Sequence, residues 1–321
     1  MNYQKINISQ FIIPVIILFF NAIMIIFPKE IFFGAKNGLE IWFNTVIPSL
    51  FPFMTAINCL MEMNVPRVLG KFIQPVTSKV LNLDGTQAFV LITGITAGYP
   101  MGLKTCAELY ASGEISKPAA YRLMLCCNNA GALFILGTVG AGFFGNIKIG
   151  YYILLCSLLS VFTIIFISGL GVKNQPADAG FPKLKPFGRK MLSRSLKNSG
   201  ISLFYIGCYI ILFSVLTQIF DIMHVFDGLS AYIAFMDKKL AKALAIGIFE
   251  VTNGCRYAAG QGKNAVLVCM ALCGFGGFSV HAQSTEFLNG TDLSCVPYLL
   301  GKMLTALLCL LYGHLFWDFF F

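Results

Sequence analysis

The chain has 321 residues, is 57% hydrophobic and only 12% charged, and carries a formal net charge of +9. Its mean hydropathy is +0.77. A soluble domain of this length cannot bury so much apolar surface, so the composition excludes a soluble globular class and predicts an all-α polytopic membrane protein. The positive charges lie in loops between apolar stretches, where they set membrane orientation, and the sequence has no nucleic-acid-binding motif.

Seven apolar stretches are long enough to cross a bilayer, which takes about 20 residues. They are 8–28, 38–62, 119–145, 149–171, 199–221, 264–289 and 294–318. The first lacks a small-residue cleavage site, so we expect a retained helix rather than a removed signal peptide. Two further apolar stretches, 86–113 and 239–262, are interrupted by glycine-rich tracts and predict re-entrant helical hairpins.

The order of segments repeats in the two halves of the chain. Each half has a short amphipathic piece (66–82 or 222–238), a hairpin, a broken helix and an uninterrupted span. Three full spans separate the hairpins, which predicts that the second repeat is inverted. The predicted domains are scaffold helices 1–65, a first repeat 66–171 with hairpin 86–113 and broken helix 119–145, a basic cytoplasmic linker 172–198, a scaffold helix 199–221, and a second repeat 222–321 with hairpin 239–262 and broken helix 264–289.

The distribution of Lys and Arg predicts the orientation. If both hairpins are re-entrant, thirteen positive residues lie on the face of the N-terminus and the linker 172–198, and seven lie on the other face. The positive-inside rule then places the N-terminus in the cytoplasm. If both stretches instead crossed the membrane, the N-terminus and the linker would lie on opposite faces.

The glycine-rich interruptions point to a transport site. They occupy residues 94–102, 128–137, 247–254 and 273–283. Unwound backbone leaves N–H and C=O groups unpaired in hydrocarbon, so it is tolerated only where it lines a cavity walled by protein. Interrupted segments at corresponding positions of two halves mark the substrate site of a transporter.

The candidate site residues are the polar side chains in and beside these interruptions. For substrate binding they are Thr96, Tyr99, Lys104, Asn128, Asn129, Thr252, Asn253, Arg256, Ser279, His281 and Gln283. The predicted hairpin tips are Gly98, Pro100, Gly102 and Gly254, because glycine and proline allow an abrupt reversal. Glu250 is the candidate for ion coupling, since an ionisable residue inside an apolar hairpin is expected to be functional.

The sequence leaves open, for these residues, a role in packing or pairing within the protein instead of a role in binding substrate. Glycines in the first hairpin also permit close helix packing, and Lys104 also pairs with Glu108 at i,i+4. The fork of Arg256 suits a carboxylate, but it also neutralises Glu250. Buried Asn and His side chains also serve as interhelical hydrogen-bonding groups.

Three motifs resemble a known family. Val46-Ile-Pro-Ser-Leu-Phe-Pro-Phe53, Gly98-Tyr-Pro-Met-Gly102 and Gly276-Gly-Phe-Ser-Val-His-Ala-Gln283 are similar to the YlbJ-type sporulation integral membrane proteins, which belong with the nucleoside-recognition (Gate) domain proteins of spore-forming Firmicutes. The resemblance implies two Gate-like repeats and a fold similar to concentrative nucleoside transporters. It also implies export of dipicolinate, a planar dianion, from the mother cell across the outer forespore membrane.

The sequence therefore predicts a transporter of a small organic anion, with dipicolinate as the leading substrate. An ion-coupled nucleoside or nucleobase transporter and a non-transporting sporulation scaffold stay open as alternatives. We expect no enzyme activity, no metal and no cofactor apart from an unidentified coupling Na⁺ or H⁺. The expected partners are the substrate and the lipid bilayer, with no nucleic acid, and the sequence leaves oligomerisation open.

Overall fold

The computed structural model describes residues 9–172, 183–233, 236–260 and 262–321, and this part of the chain is all-helical. Parts of the linker 172–198, of the amphipathic piece 222–238 and of hairpin 239–262 lie outside the described residues. Residues 1–8, which include the N-terminus predicted to be cytoplasmic, also lie outside the described residues.

The described residues of the first half form eight α-helices and two π-helical segments. The α-helices are α1 (Ser9–Ile26), α2 (Pro28–Ile41), α3 (Ile47–Glu62), α4 (Val65–Val80), α5 (Gly85–Thr96), α6 (Met101–Ala111), α7 (Lys117–Met124) and α8 (Ile147–Gly169). The π-helical segments are Trp42–Val46, between α2 and α3, and Phe134–Phe143, between α7 and α8.

The second half contains eight further helices in the described residues. They are α9 (Arg189–Ile222), α10 (Val225–Tyr232), α11 (Lys238–Phe249), α12 (Val251–Ala258), α13 (Lys263–Phe275), α14 (Gly277–Thr285), α15 (Val296–Leu315) and α16 (Trp317–Phe320). A single 3₁₀ turn, Glu286–Leu288, extends α14.

Side-chain caps explain where several helices begin. Asp84 accepts a hydrogen bond from the N–H of Gln87 at the start of α5. Asp237 accepts from the N–H groups of Lys239 and Leu240 at the start of α11. These carboxylates satisfy N–H groups that have no partner within the helix and favour the positive end of its dipole.

Four described helical stretches are long and apolar enough to cross a membrane. They are α8, α9, the stretch Lys263–Leu288 that contains α13 and α14, and α15. The pair Phe11–Ile26 and Pro28–Val46 is bent by 103° and adds a fifth span if it is counted as one. The described chain is thus a multi-pass membrane protein with four or five candidate spans.

Three of the seven predicted spans do not correspond to a single described candidate span. Residues 8–28 and 38–62 fall on the bent pair and on α3, which contains Pro52. Residues 119–145 divide into α7, an unwound stretch and the π-helical segment Phe134–Phe143. The seven-span count and the inverted repeat therefore stay predictions.

The helices pack around two long spans. Helix α9 lies along α2 and α3, and α15 lies between α8 and α13. Trp42 Nε1 donates to the carbonyl of Leu203 at 3.0 Å and fixes the π-helical turn against α9. Large apolar side chains such as Leu18, Phe204 and Leu307 remain exposed on the outer helices, which is the surface expected to face lipid.

Candidate functional site

The first hairpin consists of α5 and α6, joined by four non-helical residues. Gly98 has φ +82, a conformation that favours glycine. The N–H of Tyr99 donates to the carbonyl of Asn129 at 2.6 Å. The tip of this hairpin is therefore fixed by backbone pairing to the unwound stretch that follows α7.

Three carbonyl groups of the unwound stretch after α7 contact other segments of the fold. The carbonyl of Asn129 accepts from Tyr99, and that of Asn128 accepts from the ammonium of Lys302 at 2.6 Å. The carbonyl of Cys127 lies where a Cβ on Gly94 or on Gly102 would be. The two hydrogen bonds satisfy carbonyl groups of this non-helical backbone, and the Cys127 carbonyl packs against the two glycines.

The predicted role of Gly102 as a hairpin-tip residue is corrected by this contact. Gly102 lies inside α6, where the absence of a Cβ lets the helix approach the carbonyl of Cys127. Pro100 is the residue before α6, and Gly98 is the tip residue with positive φ. Close packing, one of the alternatives left open by the sequence, accounts for Gly94 and Gly102.

The second hairpin reverses at Glu250, which lies between α11 and α12. Glu250 is extended, with φ −140 and ψ 109, and its carboxylate accepts hydrogen bonds from the N–H groups of Thr252 and Asn253 at 3.1 and 2.7 Å. The side chain is only 2% exposed. A buried carboxylate here is stabilised by two N–H groups and by the positive end of the α12 dipole.

The predicted second tip is displaced by a few residues. Thr252 and Asn253 lie in the first turn of α12, and Gly254 follows them inside the helix. A Cβ on Gly254 would overlap the Cα of Gly247, so this glycine lets α11 and α12 approach each other. Gly254 is therefore a packing residue, and the reversal belongs to Glu250.

The break between α13 and α14 is formed by two glycines. Gly276 and Gly277 have φ +96 and +76. A Cβ on Gly277 would lie 2.8 Å from the carbonyl oxygen of Gly247, so this break packs directly against the second hairpin. The predicted residues Ser279, His281 and Gln283 all lie on α14.

A central cavity of about 60 Å³ lies where the breaks meet. The π-helical turn, α3 and α9 supply mainly apolar walls, among them Leu50, Phe53 and Ile206. Six of the residues predicted from the sequence also line it, namely Thr96, Tyr99, Glu250, Thr252, Ser279 and Gln283. Glu250 is the charged residue among its lining residues.

Two of the residues that line the cavity each have a buried polar atom without a partner. The hydroxyl of Tyr99 and Oε1 of Gln283 are buried without a hydrogen bond in the described part of the chain. An unpaired buried polar group costs about 1–3 kcal/mol. Both atoms are therefore suited to hydrogen-bonding a polar molecule in the cavity.

Two further predicted residues belong to a separate buried network. Asn128 Nδ2 donates to Ser284 Oγ at 3.0 Å and to the Tyr298 hydroxyl at 3.2 Å. Nδ1 of His281 lies 2.9 Å from the same hydroxyl. Asn128 and His281 are not among the residues that line the central cavity.

The predicted cationic ligands do not line the cavity either. Lys104 is buried, with its ammonium 3.3 Å from Ser202 Oγ, 3.4 Å from Asn58 Oδ1 and 3.8 Å from a Glu108 carboxylate oxygen. The structural alternative for this lysine, pairing with Glu108, is therefore present. Arg256 is exposed, and the described ion pairs do not join it to Glu250.

The remaining predicted residues lie beside the breaks. Asn129 is held by its own segment, since its Nδ2 donates to the carbonyl of Cys126 at 2.7 Å. Asn253 Oδ1 accepts from Asn37 Nδ2 at 3.1 Å, which joins the second hairpin to α2. Neither residue lines the cavity.

The sequence reasoning missed Lys302 and Tyr298, both of which are buried on α15. Residues 294–318 form an uninterrupted apolar stretch, which by itself predicts a plain membrane span. A lysine near the middle of an apolar span was the available signal, because such residues are rarely without a role.

Comparison with known proteins agrees with the membrane architecture. The sporulation integral membrane protein YlbJ of Bacillus subtilis is 29% identical over an alignment of 349 residues, which covers 99% of this chain and 85% of the relative. No family model and no solved structure matches the chain. The similarity extends along almost the whole chain and, together with the apolar helices, supports the resemblance to the YlbJ-type sporulation integral membrane proteins.

Proposed function

We propose that the chain is a membrane transporter whose substrate passes through the central cavity between the helix breaks. The observation that carries this proposal is that Tyr99 and Gln283, which line a wall shared by both halves, each have a buried polar atom without a partner in the described part of the chain. A purely structural cavity is more stable when it is lined by apolar or paired groups. A substrate that accepts a hydrogen bond from the Tyr99 hydroxyl accounts for keeping that group, and a substrate with an N–H or O–H donor also pairs with Gln283 Oε1.

The small size of the cavity supports an alternating mechanism. Its 60 Å³ is far below the roughly 300–1,000 Å³ of ordinary ligand pockets. An organic solute therefore enters only after the walls separate. The hairpins α5–α6 and α11–α12 are the natural moving parts, because each ends in a short non-helical reversal beside the cavity.

The leading substrate is a small organic anion, and dipicolinate is the first one to test because the family resemblance implies it. No Lys or Arg is among the cavity's lining residues, so the positive end of α14 at Ser279 is the nearest source of favourable potential for a carboxylate. On this proposal the protein resides in the outer forespore membrane with a cytoplasmic N-terminus.

One observation favours a nucleoside or nucleobase as the second candidate. The carboxylate of Glu250 lines the cavity and is 2% exposed, so it repels a dianion but accepts hydrogen bonds from hydroxyl or amino groups. Glu250 also remains the candidate for binding a coupling cation.

Uptake into liposomes containing the purified full chain tests the proposal. Radiolabelled dipicolinate and uridine are offered separately to the wild type, to Tyr99→Phe and to empty liposomes. Saturable uptake of dipicolinate that Tyr99→Phe weakens is the expected result, because the Tyr99 hydroxyl can donate to a carboxylate. Saturable uptake of uridine alone contradicts the leading substrate. Transport and binding of neither, by correctly inserted protein, favours the scaffold alternative.

A further inference from the structure

Lys302 is a buried cation without a counter-carboxylate in the described part of the chain. Its side chain is 2% exposed, and its ammonium donates to the backbone carbonyl of Asn128 at 2.6 Å. The described ion pairs do not include it. A buried charge of this kind needs compensation from elsewhere, because desolvation alone costs several kcal/mol.

Backbone of two interrupted helices lies beside Lys302 and is the source of compensation that the described contacts offer. Asn128 lies in the unwound stretch that follows the C-terminal end of α7. On the other side, Lys302 Cε lies 3.8 Å from the position of a Cβ on Gly276, directly after the C-terminal end of α13. The C-terminal end of a helix carries partial negative charge, so both ends favour a cation at this point.

A glycine in α15 lets the Lys302 ammonium reach the unwound stretch after α7. A Cβ on Gly301 would overlap the carbonyl of Leu125, so the glycine lets α15 lie directly against the unwound stretch. The titratable groups near Lys302 on the elements packed around it are neutral thiols and one imidazole, none of them a carboxylate. They are Cys126, Cys127, Cys273, Cys309 and His281.

We infer that Lys302 is a tethered cation that occupies the position a coupling Na⁺ takes in transporters whose half-helix C-termini bind that ion. This inference rests on the proposed transport function. Its consequence is that the site where α7 and α13 end needs no Na⁺, since a covalently attached ammonium holds the two breaks together through every cycle.

A thermal-unfolding experiment tests the inference without needing a substrate. The full-length protein in detergent is heated in choline chloride, NaCl or methylammonium chloride at equal concentration, and tryptophan fluorescence is followed. The melting temperature of the wild type should be the same in choline and in Na⁺. Lys302→Ala should melt several degrees lower in choline, and Na⁺ or methylammonium should recover at least half of that loss.

Three further variants keep the test decisive. Lys302→Arg should retain the wild-type melting temperature more closely than the isosteric, uncharged Lys302→Met. Tyr298→Phe, one turn away on the same helix, controls for general salt stabilisation and should gain nothing from Na⁺. The inference is overturned if Lys302→Met is as stable as the wild type in choline, or if Na⁺ raises the wild type and not the Lys302→Ala variant.

The same variants in liposomes separate this inference from the transport proposal. Wild-type uptake of dipicolinate or uridine should be unchanged when choline replaces Na⁺, and Lys302→Ala should recover uptake only with Na⁺ or methylammonium. Absence of uptake by every variant counts against the transport function alone, because the melting experiment still decides the role of Lys302. Wild-type uptake that requires Na⁺ while Lys302→Ala shows no cation rescue overturns the tethered-cation inference.

Discussion

The two hairpins reverse direction by different means. The first reverses at Gly98 without a charged group, and its tip is fixed to a neighbouring segment by the bond from Tyr99 N–H to the Asn129 carbonyl. The second reverses at Glu250, whose carboxylate caps the helix that follows it. The first tip therefore depends on packing against another part of the fold, whereas the second is stabilised by its own carboxylate cap beside the cavity.

A side chain that prevents the close packing of the first hairpin against Cys127 should have the largest effect on stability. Gly94→Ala places a methyl group on the carbonyl oxygen of Cys127, so we expect a loss of about 3 kcal/mol or more in stability and poor insertion. Gly200→Ala is the matched control, since nothing lies within 4 Å of a Cβ there. Equal melting temperatures for the two variants would show that the first hairpin is not held by packing.

Removing the carboxylate cap of the second hairpin should have an intermediate effect on stability. Glu250→Ala removes the cap of α12 and should lower stability by about 1 kcal/mol. Asp237→Ala removes the equivalent cap of α11 at an exposed position and should cost a similar amount. Only Glu250→Ala should alter uptake, measured in liposomes, because only Glu250 lines the cavity. Identical loss of uptake in both variants would contradict a special role for Glu250.

The hydroxyl at the first tip should matter for substrate and not for folding. Tyr99→Phe removes a buried hydroxyl that has no partner in the described chain, so its melting temperature should be unchanged. Its apparent affinity for the transported solute should fall about 2- to 10-fold, as expected for one lost hydrogen bond.

Tyr298→Phe provides the opposite pattern. Its hydroxyl accepts from Asn128 Nδ2 and lies 2.9 Å from His281 Nδ1, so its removal should lower stability by about 1–2 kcal/mol. Should Tyr99→Phe destabilise the protein as much as Tyr298→Phe does, the hydroxyl of Tyr99 is a structural group.

The smallest effect is expected at a surface pair outside both hairpin tips. Hydrogen bonds from Lys117 and then Tyr110 lower the pKa of Asp292 below its usual value of 3.8. A depressed pKa stabilises the fold above that value, and the contribution is lost as the pH falls below it. Melting curves between about pH 5 and pH 3 should therefore drop more steeply for the wild type than for Asp292→Asn. Parallel curves would remove Asp292 from the acid response.

The role of each glycine shows the limit of reading the sequence alone. Glycine-rich tracts predict helix interruptions within residues 94–102, 128–137, 247–254 and 273–283, and the described helices end inside or beside these tracts. The same tracts gave no means of separating Gly98, which has positive φ, from Gly102, which only makes room for a neighbouring carbonyl. That distinction depends on a segment about 25 residues away along the chain.

The charged residues show a similar division. Arg256 and Lys104 lie near the predicted hairpin tips and are predicted to bind substrate. In the structure Arg256 is exposed. The ammonium of Lys104 instead contacts Asn58, Ser202 and Glu108. Lys302 lies in a helix without an interruption, so the glycine pattern does not mark it, although its ammonium contacts an interrupted segment. Helix periodicity places a side chain on a face, but the neighbour of that face is set by tertiary packing.

The sequence by itself determined the membrane class, the helical content and the approximate location of the helix interruptions, because apolar run length and glycine content act locally. Only the tertiary structure decided which polar groups meet in the central cavity and which pair with one another. Those contacts join residues far apart in the chain, such as Tyr99 with Asn129 and Asn128 with Lys302. Their formation depends on how the interrupted helices pack, which no local pattern encodes.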